Sequence, residues 1–239
     1  MNNFRITSIL TLLGMLLASL LASCTASTYQ DDSRYVEKSL DLEPFQKIRF
    51  EGAYNIKLIQ SDSQSVVLST SESLHDRIRV WVEDGTLRIK TRGNHIQSEE
   101  IKVNLSVRNL EEIKVEGGAQ LLTEGYFDLG QFKLNVEGGA NINMKIKADT
   151  FTAYAAGGVN IELEGVATQF TAISEGAGNI DADNLEARFV RCKVSGVGNA
   201  SVYATEKLDA TVEGVGKIGY RGNPTINKSV SGIGWVYRK

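Results

Sequence analysis

Apolar and polar residues alternate along short segments of the chain, and a glycine follows many of these segments. Every second residue is apolar from Phe132 to Val136 and again from Val190 to Val194. Such alternation predicts a β-strand with one buried face, because successive side chains point to opposite faces of a sheet. No long stretch shows the 3.6-residue apolar period of a helix. The pattern therefore predicts an all-β chain with almost no helix.

A glycine-centred phrase returns along the chain at nearly constant intervals. Its first glycine occupies seven positions separated by 18 to 21 residues: Gly117, Gly138, Gly157, Gly176, Gly196, Gly214 and Gly232. A period near twenty residues without helices is typical of a solenoid, whose units bury their apolar faces only by stacking. Glycine suits the corner between two strands because it adopts backbone conformations closed to other residues. We predict a parallel, right-handed β-helix, or β-solenoid, of about 20 residues per coil.

An asparagine stands three residues after the first glycine in four successive copies: Asn141, Asn160, Asn179 and Asn199. Stacking in register would align these amides so that each side chain bonds the next, as in an asparagine ladder. We interpret the column as structural, with ligand binding by the amides as the alternative. Lys217 and Trp235 occupy the position in the last two copies and are expected to end the ladder.

The part of the chain before residue 110 is less regular. Short apolar patterns predict strands over residues 55–60, 66–70, 77–83, 86–91 and 101–107. Glu83-Asp84-Gly85 is a hairpin signal, so antiparallel pairs should precede the regular coils. The phrase already occurs at Gly52, so we assign residues 44–239 to a single β-solenoid domain.

The N-terminus carries the features of a lipoprotein signal peptide over residues 1–23. Arg5 provides a positive start, and the apolar core from Ile9 to Leu21 is too short for a membrane span. Residues 21–24, Leu-Ala-Ser-Cys, resemble the lipobox of bacterial lipoproteins, which implies a lipid anchor on Cys24. An ordinary secretory signal is the alternative. Thr25 stands where that family uses aspartate for inner-membrane retention, so the resemblance implies the outer membrane, facing either the periplasm or the outside.

Residues 24–43 are polar and lack an alternating pattern. We interpret them as a flexible tether between the lipid anchor and the folded domain. The formal net charge of −3 gives no electrostatic reason to expect nucleic acid as a partner.

Few residues offer reactive chemistry. Cys192 is in phase with the inward Val190 and Val194, which predicts a buried, inert thiol. His75 and His95 do not have a metal-ligand spacing, and we predict neither a cofactor nor a metal site.

Glutamates precede the corner glycine in several copies and would stack as an outward column: Glu116, Glu137, Glu175 and Glu213. Stacked carboxylates can bind calcium. The nearby lysines favour solvated, partly neutralised positions instead: Lys114, Lys133 and Lys193. Parallel β-helices also include polysaccharide lyases and hydrolases, whose sites need clustered acids. A carbohydrate-active enzyme is therefore an alternative function.

The sequence resembles the DUF2807 family, the GIN-domain head of autotransporter adhesins. The resemblance rests on residues 45–52, Phe-Gln-Lys-Ile-Arg-Phe-Glu-Gly, on residues 55–60 and 87–90, and on the later Gly-Gly-Ala-Asn-Ile and Gly-x-Gly phrases. It covers residues 45–236. The resemblance implies a β-solenoid lipoprotein of the cell envelope and gives no catalytic or binding residues to carry over.

Outward positions of the strands before the corner glycine supply a tentative binding face: Tyr154, Ile173, Arg191 and Lys193. Such a face suits a glycan or a protein ligand. The end of the stack offers unpaired strand edges, so self-association is a further hypothesis, although we expect Trp235 and Tyr237 to help cover that end. The favoured function is adhesion without catalysis, and a structural or signalling envelope protein is the remaining alternative.

Overall fold

The computed structural model describes residues 35–93 and 100–239. These residues belong to one compact unit, Arg34–Lys239. The predicted signal peptide, Cys24 and His95 lie outside the described residues.

The described residues form twelve strands and one helix of a single turn. The strands are β1 (Tyr35–Leu40), β2 (Lys47–Gln60), β3 (Ser65–Ser71), β4 (Ile78–Glu83), β5 (Thr86–Thr91), β6 (Lys102–Val107), β7 (Glu112–Glu124), β8 (Phe127–Val194), β9 (Val197–Val212), β10 (Val215–Arg221), β11 (Thr225–Val230) and β12 (Ile233–Arg238). The helix α1 spans Glu72–His75. The all-β class predicted from the sequence is confirmed.

The strands join in one sheet of mixed orientation. The order along it is β1-β3-β6-β2-β7-β8-β9-β10-β12, with β5 also on β2, β4 on β5, and β11 on β9. The pairs β1–β3, β3–β6 and β4–β5 are antiparallel, whereas β2, β7, β8, β9, β10, β11 and β12 pair in parallel. Antiparallel pairs are thus confined to the N-terminal part, as predicted. Asp84 and Gly85 turn the β4–β5 hairpin with φ of 48° and 67°, as a type I′ turn requires.

Parallel pairing places equivalent residues of successive copies opposite each other. Gly117 faces Gly138 between β7 and β8, and Asn179 faces Asn199 between β8 and β9. β8 itself contains several copies of the phrase, and it returns upon itself, since Gly157 approaches the carbonyl of Gly138. The copies therefore stack in parallel and in register.

Close backbone contact between corner glycines explains why the phrase needs glycine. Gly138 and Gly157 have φ of 136° and 116°, in the region that side chains disfavour. A Cβ on Gly157 would also lie only 2.2 Å from the carbonyl oxygen of Gly138. Any larger residue would separate the two copies or distort the corner.

The inward side chains form one continuous apolar core. Phe132, Phe151 and Phe170 are fully buried and stack at centroid distances of 5.5 Å and 5.3 Å. Such offset aromatic contacts add to the free energy of burial. Cys192 lies in the same core, and burial raises the pKa of its thiol to about 12.

Two expectations from the sequence need correction. The predicted tether extends to residue 43, but Tyr35–Leu40 forms β1, an edge strand paired with β3. The side chains of this strand are mostly exposed, so the segment shows no clear apolar alternation. Backbone pairing with β3 holds it in the sheet. Trp235 and Tyr237 do not cover the end of the stack, since they lie in register with Lys217 and Gly219 and are 52% and 41% exposed.

Replacing Gly157 with alanine should lower the free energy of unfolding by about 1–3 kcal/mol, because the new Cβ meets both a backbone oxygen and an unfavourable φ. The matched control is Gly158→Ala, whose Cβ would lie 3.9 Å from its nearest neighbour. The control should change stability by less than about 0.5 kcal/mol. Urea denaturation of both variants measures the difference, and equal stabilities would contradict the contact.

The amide column and its grooves as a candidate binding site

Four asparagines form a hydrogen-bonded column on the outer surface. Asn160 Nδ2 donates to Asn141 Oδ1 at 3.2 Å, and Asn179 Nδ2 donates to Asn160 Oδ1 at 3.3 Å. Asn199 Nδ2 continues the series by donating to Asn179 Oδ1 at 3.2 Å. All four side chains are exposed. We call Asn141, Asn160, Asn179 and Asn199 the amide column.

Different residues occupy the column position at the C-terminal end. The register places Lys217 opposite Asn199 and Trp235 opposite Lys217. The Lys217 ammonium lies 4.6 Å from the centroid of the Trp235 ring, within the range of a cation–π interaction. The amide column therefore continues into an exposed aromatic side chain.

A groove of about 610 Å³ with a single charged lining residue lies along one side of the amide column. Its lining includes the exposed side chains of Val197, Val215, Ile233 and Trp235. Lys217 is the one charged residue among those that line it. We call this the aliphatic groove.

The aliphatic groove exists because the corner changes form along the chain. In the earlier copies the residue after the two glycines is buried, as at Ala140 and Val159. In the later copies that position is glycine, because a Cβ on Gly198 would lie 2.2 Å from the carbonyl oxygen of Gly178. The residue between the two glycines then faces outward, and Val197 is 64% exposed.

A second groove of about 550 Å³ lies on the other side of the amide column. Its lining includes Leu122, Asn143, Glu162 and Asp181. Asn143 Nδ2 donates to Glu162 Oε2 at 3.1 Å. This side is therefore acidic, in contrast to the aliphatic groove.

The binding face proposed from the sequence lies on strands before the corner, away from both grooves. Tyr154 donates its hydroxyl proton to Glu175 Oε2 at 2.6 Å, and Lys193 pairs with Glu213 at 2.8 Å. Arg191 lies opposite Asp209 in the register, and Ile173 is only partly exposed. The hydroxyl and the lysine ammonium of this face already have protein partners.

Three of the four glutamates before the corner, Glu116, Glu137 and Glu213, are paired with basic side chains, and Glu175 accepts the Tyr154 hydroxyl proton. Glu116 lies 2.7 Å from both the Lys114 ammonium and the Arg49 guanidinium, and Lys114 also reaches Glu137 at 3.3 Å. The hydrogen bonds from Lys114 and then Arg49 lower the pKa of the Glu116 carboxyl. In the described part of the chain, no group of three or more histidine, cysteine, aspartate or glutamate side chains is arranged to hold a metal ion. The arrangement favours neutralised positions over a calcium site.

Sequence reasoning identified the amides but missed the aliphatic groove. Its signal was present in the recurring apolar residue between two glycines at Val197, Val215 and Ile233. The alternation rule assigns apolar residues to the core, so it gives no reason to place these three outside.

Among residues 35–93 and 100–239, no helix has the length and hydropathy needed to cross a bilayer.

A comparison with protein families matches residues 44–224 to the model of DUF2807, described as "Putative auto-transporter adhesin, head GIN domain". The chain belongs to the DUF2807 family. The resemblance predicted from the repeat phrase is thereby confirmed. Among curated proteins, none matches the chain.

Several solved structures are similar to this chain in fold. A "putative adhesin" from Bacteroides fragilis is 26% identical, with a TM-score of 0.83 over 86% of this chain and 97% of its own. A "putative lipid binding protein" from Parabacteroides distasonis is 24% identical, with a TM-score of 0.69 over 87% and 98% of the two chains. A "putative adhesin" from Parabacteroides merdae is 22% identical, with a TM-score of 0.66 over 87% and 97%. The two Parabacteroides proteins show the shared fold alone.

The ion pairs of Glu116 make a pH-dependent contribution to stability. Its folded-state pKa is lowered, so the contribution is present above the unfolded-state value of about 4.3 and is lost as the pH falls through the folded-state value. Glu116→Gln should therefore lower the free energy of unfolding at about pH 7 by less than about 1 kcal/mol, and the loss should vanish at about pH 2.

Urea denaturation of wild type and Glu116→Gln across this pH range measures the effect. The control is Glu186→Gln, at an exposed position elsewhere on the surface. A difference between wild type and Glu116→Gln that stays constant with pH would contradict the role of the carboxylate charge.

Proposed function

We propose that this DUF2807 protein is a lipid-anchored adhesin of the outer cell envelope, which binds glycans without catalysis through the outer wall of a right-handed β-solenoid. Family membership supports an adhesive role. The observation that carries the proposal is the amide column with the aliphatic groove, an exposed surface that repeats from one copy to the next.

The parallel register supports the solenoid. Equivalent residues face each other in successive copies: Gly117 faces Gly138. Val215 lies between Val197 on one neighbouring strand and Ile233 on the other. Parallel strands need a crossover to return to the same edge, and such crossovers are right-handed in nearly all proteins. A chain that repeats this step every 18 to 21 residues winds as a helix of coils.

The environment of the reactive groups favours binding over catalysis. Glu116 and Glu137 are held by basic partners, and Cys192 is buried with a raised pKa. His75 is buried, and its Nε2 lies 2.7 Å from the carbonyl oxygen of Val36. A carboxylate pair for glycoside cleavage needs two acids free to act on one bond. The pairing of Glu116 and Glu137 with basic side chains argues against a lyase or hydrolase site at these two acids and supports an adhesin.

The glycan-binding part of the proposal predicts saturable binding of residues 34–239, which form one compact unit, to members of a glycan array. Chromatography of the bound polysaccharides should reveal no shortened or unsaturated products. Shortened products would replace the adhesin with an enzyme. A complete lack of saturable glycan binding would refute the proposed ligand class.

The anchoring part of the proposal concerns Cys24, which carries the thiol of the lipobox-like sequence. Lipid chains hold a protein at a membrane because each buried methylene contributes about 0.8 kcal/mol. Cys24→Ser should therefore move the full-length protein from the membrane fraction to the soluble fraction. Ser27→Ala, outside the lipobox-like residues 21–24, serves as a control that keeps the thiol. Retention of Cys24→Ser in the membrane fraction would contradict lipid anchoring.

A further inference from the structure

We propose that the amide column and the aliphatic groove together bind a neutral, linear glycan chain that runs along the stacking direction of the coils. The inference rests on the proposed function and narrows its ligand to one chemical class. It also assigns the site to the surface after the corner glycine. The face of Tyr154 and Lys193 lies elsewhere.

The hydrogen-bonding capacity of the amides supports a hydroxyl-rich ligand. Each asparagine amide has two N–H donors and an oxygen with two acceptor positions. Asn160 and Asn179 each use one donor and one acceptor within the column. Each of them retains one donor and one acceptor on an exposed side chain. A sugar hydroxyl is both donor and acceptor, so it can satisfy both.

The repetition of the site supports a linear polymer. Paired strands lie about 4.8 Å apart, so the amide column offers the same donor and acceptor at regular steps of about this length. Asn141 to Asn199 spans three such steps in the hydrogen-bonded series. A single sugar would engage one or two amides. A chain that follows the column would engage all of them and gain affinity from many modest contacts.

The charge around the column favours a neutral chain. The aliphatic groove contains one charged residue, Lys217, which lies over the ring of Trp235. The opposite groove contains Glu162 and Asp181. These carboxylates would repel a polymer of uronic acids or sulfated sugars. An anionic glycan would need several free basic residues, and the two grooves provide only Lys217 among their lining residues.

The apolar residues of the groove match the remaining surface of a sugar ring. Val215, Ile233 and Trp235 are 48%, 73% and 52% exposed beside the column. Sugar rings present C–H groups on their faces and hydroxyls at their edges. A ring can therefore pack its C–H face on the aliphatic side chains or on Trp235 while its hydroxyls reach the amides.

The test measures the affinity of residues 34–239 for soluble neutral linear polysaccharides by isothermal titration calorimetry. The double variant Val197→Glu/Val215→Glu places two carboxylates in the aliphatic groove and should weaken binding at least tenfold. The matched control is Val166→Glu, an exposed valine that lines neither groove. Its affinity should equal that of wild type.

A second pair of variants tests the amides themselves. Asn160→Ala/Asn179→Ala removes the central donors and acceptors and should also weaken binding at least tenfold. Asn135→Ala is the control, because it removes an asparagine that donates to Glu112 Oε1 at 2.7 Å on the strand before the corner. Thermal unfolding of each variant establishes that a loss of affinity occurs in a folded protein.

The outcomes separate this inference from the proposed function. Neutral glycan binding that is lost in both groove and amide variants supports the inference. Glycan binding that survives them but is lost in Tyr154→Ala or Lys193→Ala overturns the inference and leaves the adhesin intact. Binding of anionic glycans alone also overturns it. Absence of all glycan binding refutes both proposals.

Discussion

The structure depends on the close approach of corner glycines from successive copies of the repeat. The Gly157 corner lies so near the Gly138 carbonyl that no side chain fits between them. Because every copy must turn at the same point, the contact fixes the register of the strands on both sides. A shift of one residue would exchange the inner and outer faces. The stacked rings of Phe132 and Phe151 inside, and the amides outside, both follow from this register.

The same constraint connects the fold to the candidate site. A register that is kept at the corners of successive copies turns one exposed amide into a column of amides, and one exposed valine into an aliphatic groove. The groove begins where the corner changes from two adjacent glycines to two glycines separated by one residue. Val159 follows two adjacent glycines and is buried, whereas Val197 stands between two glycines and is exposed. The outer surface therefore repeats wherever successive corners have the same form. A repeating surface of neutral donors and acceptors suits a repeating ligand, and this match underlies the proposed glycan specificity.

Much of the fold is predictable from the sequence because it repeats. The period, the strand pattern and the hairpin at Asp84 and Gly85 all have local signals. β1 lacks such a signal, since its position depends on backbone bonds to β3. The Arg49–Glu116 ion pair was also hidden, because its partners lie 67 residues apart and meet only when β2 pairs with β7. The outward valines were missed because their exposure depends on the backbone contact at the following glycine.

In-register stacking has a direct spectroscopic signature in the side-chain amides of the column. Solution NMR of residues 34–239 should show through-space contacts between the amide groups of Asn160 and Asn179. In each of the donors Asn160, Asn179 and Asn199, one N–H proton should exchange with solvent more slowly than the other, because one is bonded within the column. Rapid, equal exchange of both protons, with no contacts between neighbouring asparagines, would contradict the stacked column on which the account depends.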